Sequence, residues 1–260
     1  MSSVGAMMNV TTSLAGGEAT DPYWSDVSLL FDGSSITGAS MDMSDDARAM
    51  TVSSNVSRPS TPITGPYGTT TQNILQYSGS GSRINANTNA AALRDWDGTS
   101  TSYEMWVYLP SLTSGNRGTQ TGHPYPLFSH SKDGAAIEYM TFGWHGDGSL
   151  KVYYFRNAEQ NVNGTSGALT ANTWHHVAYV YDTTDGKLRG YVDGVQNFSH
   201  SRNNPTNSNA EKFWIGHGSN GYMTGNITDV RITYGTARHI NTGGTFTYPV
   251  PTQPLPLQGP

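Results

Sequence analysis

The sequence predicts an all-β protein, a two-sheet antiparallel sandwich of the jelly-roll kind, on three observations. Apolar residues alternate with polar ones in short runs through the middle of the chain, the pattern of strands with one face on a core. Turn pairs punctuate the runs, among them Asp147-Gly148, Asp185-Gly186 and Asp193-Gly194. No window of helical length carries an apolar stripe; the weak helix candidates are Asp42–Met50 and Asn89–Asp95. At 260 residues the chain is long enough to bury one large β core.

Residues 1–20 are small and polar, with Met7 and Met8 the only larger apolar pair, and read as an arm that a partner orders. The domain is expected over 21–248. Its first strand is Val27–Phe31, stopped by Asp32-Gly33. Ser102–Leu109 follows, with Tyr103, Met105, Val107 and Leu109 on one face and Glu104, Trp106 and Tyr108 on the other. Residues 111–133 read as a long loop containing His123 and His130. Leu150–Phe155, Phe213–Gly216 and Asp229–Thr233 complete the series. Residues 249–260 hold five of the 13 prolines and read as an extended tail barred from any central strand.

The stretch Thr173–Gln196, TWHHVAYVYDTTDGKLRGYVDGVQ, parses as two strands and the start of a third. Asp193-Gly194 suits a two-residue hairpin turn with positive φ at both positions. Trp174, Ala178 and Val180 are expected on the core face. His175 and His176 point to opposite faces and cannot share one metal ion. They read as structural, one core-facing and hydrogen-bonded, the other solvated.

Composition narrows the function classes. A formal net charge of -5 leaves no basic footprint for nucleic acid. The absence of cysteine excludes disulfides and thiolate metal sites. No run approaches the ~20 apolar residues of a membrane span, and the first residues lack the pattern of a signal peptide. Synthesis in a cytoplasm is therefore expected. No P-loop and no G-x-S-x-G elbow occur, and no cofactor is expected.

Several segments, in order, resemble the laminin-G-like, or concanavalin A-like lectin/glucanase, jelly-roll domains. WHHVAYVYDTTDGKLRGYVDGVQ is similar to the family's W-x-H-V-A strand followed by Y-V-D-G. YWSDVSLLFDGS (23–34), ILQYSGSGSRINA (74–86), SYEMWVYLP (102–110) and the closing segment 213–240 fall where the family's other strands fall. The ending V-R-I-T-x-G-x-A-R, followed by F-T-x-P and prolines, resembles such domains in tailed-bacteriophage structural proteins.

The resemblance implies a concanavalin A-like sandwich and admits three activities. Glycoside hydrolysis needs two juxtaposed carboxylates. The family's E-x-D-x-E motif is missing, with Glu104 and Glu138 isolated in apolar strands, so no catalytic residues and no enzymatic activity are expected. Calcium would need an early Asp, such as Asp42, Asp45 or Asp46, together with the first Asp of a D-D-V-R-I segment. Thr228 stands at that first position and only Asp229 remains, so no metal is assigned, and Asp229 and Arg231 read as a surface pair. Glycan binding would use loops that mix aromatic and polar groups. The candidates are Trp96, Asp97, Trp144, His145, Asp147, His217 and Tyr222. The resulting expectation is a non-enzymatic phage virion protein, a capsid decoration or tail-fibre component. It would join other virion proteins through its arm and tail, form homo-oligomers in one variant of this reading, and touch host-surface glycan. The alternative is a free carbohydrate-binding lectin or depolymerase.

Overall fold

The computed structural model describes residues 20–36, 41–86, 93, 99–116, 122–131, 138–155, 159–201, 212–218, 221–239 and 248–256. Its strands in chain order begin with β1 (Val27–Phe31), β2 (Met50–Val52), β3 (Val56–Ser57), β4 (Ile63–Thr64), β5 (Thr70–Thr71), β6 (Leu75–Ser78) and β7 (Ile84–Ala86). Next come β8 (Thr101–Tyr108), β9 (Gly115–Asn116), β10 (Tyr125–Ser131), β11 (Glu138–Trp144), β12 (Leu150–Phe155) and β13 (Glu159–Asn163). The last are β14 (Trp174–Asp182), β15 (Lys187–Val192), β16 (Val195–Ser201), β17 (Lys212–Ile215) and β18 (Tyr222–Tyr234).

They form two large antiparallel sheets. The first runs β16-β15-β14-β8-β18-β6-β3, with β1 and β9 also on β18. The second runs β13-β12-β11-β10-β17-β7-β2. The protein is thus the expected two-sheet sandwich. The core lies between the sheets. Tyr103 of β8 meets Phe128, Phe142 and Phe213 of the second sheet at centroid distances of 5.5, 5.1 and 6.2 Å. Tyr103, Met105, Val107 and Leu109 all face this core, as the alternation predicts. At the tip of the β15–β16 hairpin, Asp193 and Gly194 take φ of 48° and 78°, the positive pair the sequence calls for.

Several expectations need correction. Asp42–Met50 is not helical. Asp42 instead folds the segment back on itself by accepting from the amides of Leu30, Ser44 and Arg48. Asn89–Asp95 lies, apart from Leu93, outside the described residues. The region 111–133 is not one loop, because Tyr125–Ser131 is a central strand. Pro126 is tolerated there beside a register shift in the ladder to β11, where a regular hydrogen bond is not required.

The largest correction concerns the outer face of the first sheet, which is covered rather than solvated. Every residue of β14 after Trp174 is buried. Ala178 and Val180 pack with Tyr191 and Tyr248, a cluster separate from the central core. Trp174 does not enter the core either. It is half-buried on this outer face and donates its indole N–H to the Thr64 carbonyl at 3.0 Å, holding the β4–β5 hairpin against the sheet. His175 and His176 do point to opposite faces, but neither is solvated. The former pairs with Asp193 at 2.6 Å and the latter meets the Tyr248 hydroxyl at 2.5 Å. Beyond Tyr248 the chain continues across the sheet, and Leu255 packs on Val27 and Leu30.

Candidate functional site

At one end of the sandwich β8 finishes at Tyr108, opposite Trp174 of β14 and Asn226 of β18. The segments 109–114, 145–149, 164–173 and 216–218 gather at this rim, where β9 pairs with Tyr222 and Met223. Leu112 caps the Trp144 indole, Gly148 bonds Leu169, and Met223 bonds Gly216. Four residues singled out in the sequence reach this rim: His145, Asp147, His217 and Tyr222. Trp144 lies beneath them, fully buried, stacked on Tyr125 at 5.1 Å and donating to the Leu112 carbonyl at 2.8 Å. It is a platform and not a contact residue, because the β10–β11 ladder runs through it. Trp96 and Asp97 lie outside the described residues.

The turn after Trp144 is closed by His145 N–H to the Ser149 carbonyl, 3.0 Å, and Gly148 N–H to the His145 carbonyl, 2.9 Å. Asp147 is exposed, and its carboxylate accepts from Ser149 N–H, Ser149 Oγ and Ser166 Oγ. The Ser149 hydroxyl and amide hold this carboxyl well below the usual carboxylate range, with Ser166 and His145 helping. It is a fixed anion at neutral pH, 3.4 Å from His145 Nδ1. His217 and Tyr222 form an isolated β-bridge. The His217 ring stands edge-on to Trp214 at 5.2 Å, and its carbonyl accepts from Ser129 Oγ at 2.5 Å. Both His217 and Tyr222 are half-buried.

Trp214 leads to a feature that sequence reasoning missed. It sits in an unbroken cross-strand row on the outer face of the second sheet: Thr51, Asn85, Trp214, Ser129, Thr141, Tyr153, Asn161. At ~4.8 Å per strand the row spans about 29 Å. Thr51 and Asn161 are exposed, while Ser129, Thr141 and Tyr153 are buried, the last under the His123 ring at 3.8 Å. The seven residues come from seven strands, so nothing local in the sequence links them.

A second missed cluster lies on the outer face of the first sheet. Glu104 is wholly buried, and its Oε1 accepts from Arg231 Nε at 2.7 Å. Arg231 also reaches Asp21 at 2.7 Å, and Asp21 receives Arg238 Nη2 on both oxygens at 3.0 and 2.9 Å. The other oxygen of Glu104 contacts His239 Nε2 at 3.0 Å, and His239 stacks on Tyr248 at 3.8 Å. His176 Nε2 lies 3.4 Å from Glu104 without hydrogen-bond alignment. Burial alone would raise the Glu104 carboxyl, but Arg231 and His239 outweigh it and hold the group well below the carboxylate range. Burial also lowers His176 below its ordinary value, keeping the ring neutral. Glu104 is therefore committed to an ion pair and is not poised as an acid or base.

Asp229 and Arg231 do not pair on a surface as expected. Asp229 is buried, has φ of 49° and accepts from the Tyr67 hydroxyl. Burial, with the Asp32 charge added, pushes its carboxyl up to about 7. Asp32, Tyr67 and Asp229 line a cavity of about 70 Å³. None of the early candidates Asp42, Asp45 and Asp46 lines this cavity. Asp42 is saturated by backbone amides, Asp45 holds the Trp24 indole and Asp46 pairs with Arg48. No group of three or more His, Cys, Asp or Glu converges among the described residues.

The fold has relatives among solved structures. The botulinum neurotoxin type G receptor-binding domain aligns with a TM-score of 0.51 and 14% identity over 80% of this chain and 47% of its own. A structure of botulinum neurotoxin type C, described as interacting with two ganglioside molecules, aligns at 0.52 and 14%, covering 81% and 48%. The binding domain of botulinum neurotoxin DC, in complex with rat synaptotagmin II, aligns at 0.54 and 16%, covering 81% and 48%. The chain spans about half the length of these structures, and at such identities the likeness concerns the fold alone. No curated protein matches the chain. Residues 78–239 match the Laminin_G_3 family, which covers more than half of the sequence and most strands of both sheets. The chain belongs to the concanavalin A-like lectin/glucanases superfamily.

Proposed function

We propose that this lectin-like jelly roll is a non-catalytic recognition module carried on a bacteriophage particle, touching host-surface glycan through the rim that holds His145, Asp147, His217 and Tyr222. One observation carries the glycan reading. Two loops about 70 residues apart in sequence deliver a fixed carboxylate, two imidazoles and a partly exposed phenol ring to the same end of the sandwich. Aromatic surface edged by a few placed polar groups is the chemistry of small-ligand recognition. The ganglioside named for the type C neurotoxin structure agrees with a saccharide ligand. The particle reading rests on the resemblance of VRITYGTAR and the proline-rich end to phage structural proteins. In it, residues 1–20 and 249–260 attach the domain to other virion proteins. The Arg231 ion pair that consumes Glu104 supports a binding role over hydrolysis.

The test has two arms. A glycan array probed with the purified chain should give saccharide hits that Tyr222→Ala abolishes while the melting temperature is kept. Antibody to the chain should label purified virions. An array without hits, or hits unaffected by Tyr222→Ala, rejects the rim as the glycan contact. Particles without the protein reject the virion assignment.

A further inference from the structure

The opposite end of the sandwich carries an open depression of about 440 Å³, walled by Tyr23, Ser100, Asp182, Thr184, Gly235 and Arg238 among others. Volumes of this order hold small ligands. Its charged walls are unusual. Asp182 and Arg238 are only 4% and 7% exposed. Asp182 spends Oδ1 on the Thr184 amide, 2.8 Å, and Oδ2 has no partner among the described residues. Arg238 spends Nε on Thr233 and Nη2 on Asp21, and Nη1 makes no hydrogen bond among the described residues. No ion pair joins Asp182 to Arg238. Both atoms reach solvent at the depression, which therefore presents one unused acceptor and one unused donor, each on a side chain more than nine-tenths buried.

The remaining walls complete a pattern. Tyr23 is 46% exposed, one of only two large apolar side chains so exposed among the described residues. Its ring is held in place by the Arg238 guanidinium, 5.0 Å from the centroid. Thr184 adds an exposed hydroxyl. An anion would suit Arg238 and be repelled by Asp182; a cation would meet the reverse. A neutral polyol satisfies both, because every hydroxyl donates and accepts. The C–H face of a pyranose also packs on an aromatic ring. We infer that this depression is a binding site for a neutral hexopyranose, independent of the rim at the other end. Tyr23 would serve as its platform, Asp182 as acceptor and Arg238 as donor.

The test is an NMR titration of the full chain, following the amides of Thr184, Gly235 and Thr236. The probes are methyl glycosides of glucose, galactose and mannose, with sodium acetate and methylammonium as ionic controls. At least one glycoside should shift these amides with a Kd of about 1 mM or weaker, as befits a single-sugar contact. Tyr23→Ala and Asp182→Asn should each weaken it about tenfold or more, the loss of one good contact. Tyr222→Ala at the far rim should leave it unchanged, so failure of the rim assignment and failure of this one read out separately. Asp182→Asn is isosteric and keeps the Thr184 bond, which secures the comparison should Tyr23→Ala fold poorly. The inference is overturned if no glycoside moves these amides, if acetate or methylammonium alone does, or if Asp182→Asn binds as the parent does.

Discussion

Arg231 holds Glu104 in a buried ion pair, with Nε donating to Oε1 at 2.7 Å and Nη2 2.7 Å from the same oxygen. The pair crosses from β8 to β18 on the outer face of the first sheet, where the two residues are in register. It also gathers distant chain. Arg231 carries Asp21 on one side, and the second Glu104 oxygen carries His239, on which Tyr248 stacks. The segments entering and leaving the sandwich are thereby fastened to the same carboxylate. A sheet face that would otherwise meet water is sealed by the domain's own flanking chain.

Glu104→Ala should therefore be among the most damaging single changes in the domain. It strands the Arg231 guanidinium in a dry site, and breaking a buried pair from one side costs about 3–5 kcal/mol. Urea denaturation followed by tryptophan fluorescence measures the loss. Glu104→Gln, which keeps shape and one acceptor oxygen, should lose less. Equal losses for the two variants would mean that packing, not charge, is what Glu104 contributes.

Trp174→Ala should behave differently from a core deletion. Its ring is half-buried beside Tyr108, at 5.6 Å, and its N–H holds the Thr64 carbonyl. Partial burial of a large side chain is worth about 1–2 kcal/mol, less than the 3 kcal/mol or so of full burial. The variant should stay folded but release the β4–β5 hairpin. Limited proteolysis should cut within residues 59–71 faster than in the parent. An unchanged cleavage pattern would show that the hairpin is held by other contacts.

The sandwich was legible because alternating or apolar runs of strand length are closed by turn residues. Val27–Phe31 and Leu150–Phe155 match their strands end to end, and the Asp193-Gly194 turn follows from chemistry needing only two adjacent residues. Burial on both faces erases the alternation. In β14 the outward set, Ala178 and Val180, is as apolar as the inward set, so core and outer face could not be told apart. The charged cluster was illegible for another reason. Glu104 and Arg231 are 127 residues apart, and only the sheet order makes them neighbours. Trp144 was misread because it adjoins a turn, although the ladder includes it. His145, Asp147, His217 and Tyr222 were legible as loop chemistry, but their shared end of the sandwich depends on topology.

Asp229 sets the last prediction, a pH dependence. Its carboxyl is raised from an ordinary 3.8 to about 7 by burial and then by Asp32, against the opposing Tyr67 hydrogen bond and Arg231 charge. A raised acid pKa means that the folded state holds the proton more tightly than the unfolded chain does. The associated stability is fully present below about pH 4 and is lost as pH rises to about 7. Asn at this position has no charge to bury, keeps an oxygen for the Tyr67 hydroxyl and tolerates the left-handed backbone. Other groups act in the opposite sense, His176 and Glu104 among them. His176, lowered from 6.5, loses stability as pH falls below that value, and Glu104, lowered from 4.5, does so at more acid pH. All such groups are common to the parent and Asp229→Asn, so the difference between the two chains isolates Asp229. That difference should be small at about pH 4 and grow in favour of Asn up to about pH 7, then level off. It should reach a few kcal/mol, one pKa unit being about 1.4 kcal/mol. Denaturation midpoints of both chains across this range measure it. A constant difference would mean that Asp229 is ionised throughout, with its carboxylate stabilised by Tyr67 and Arg231 despite burial.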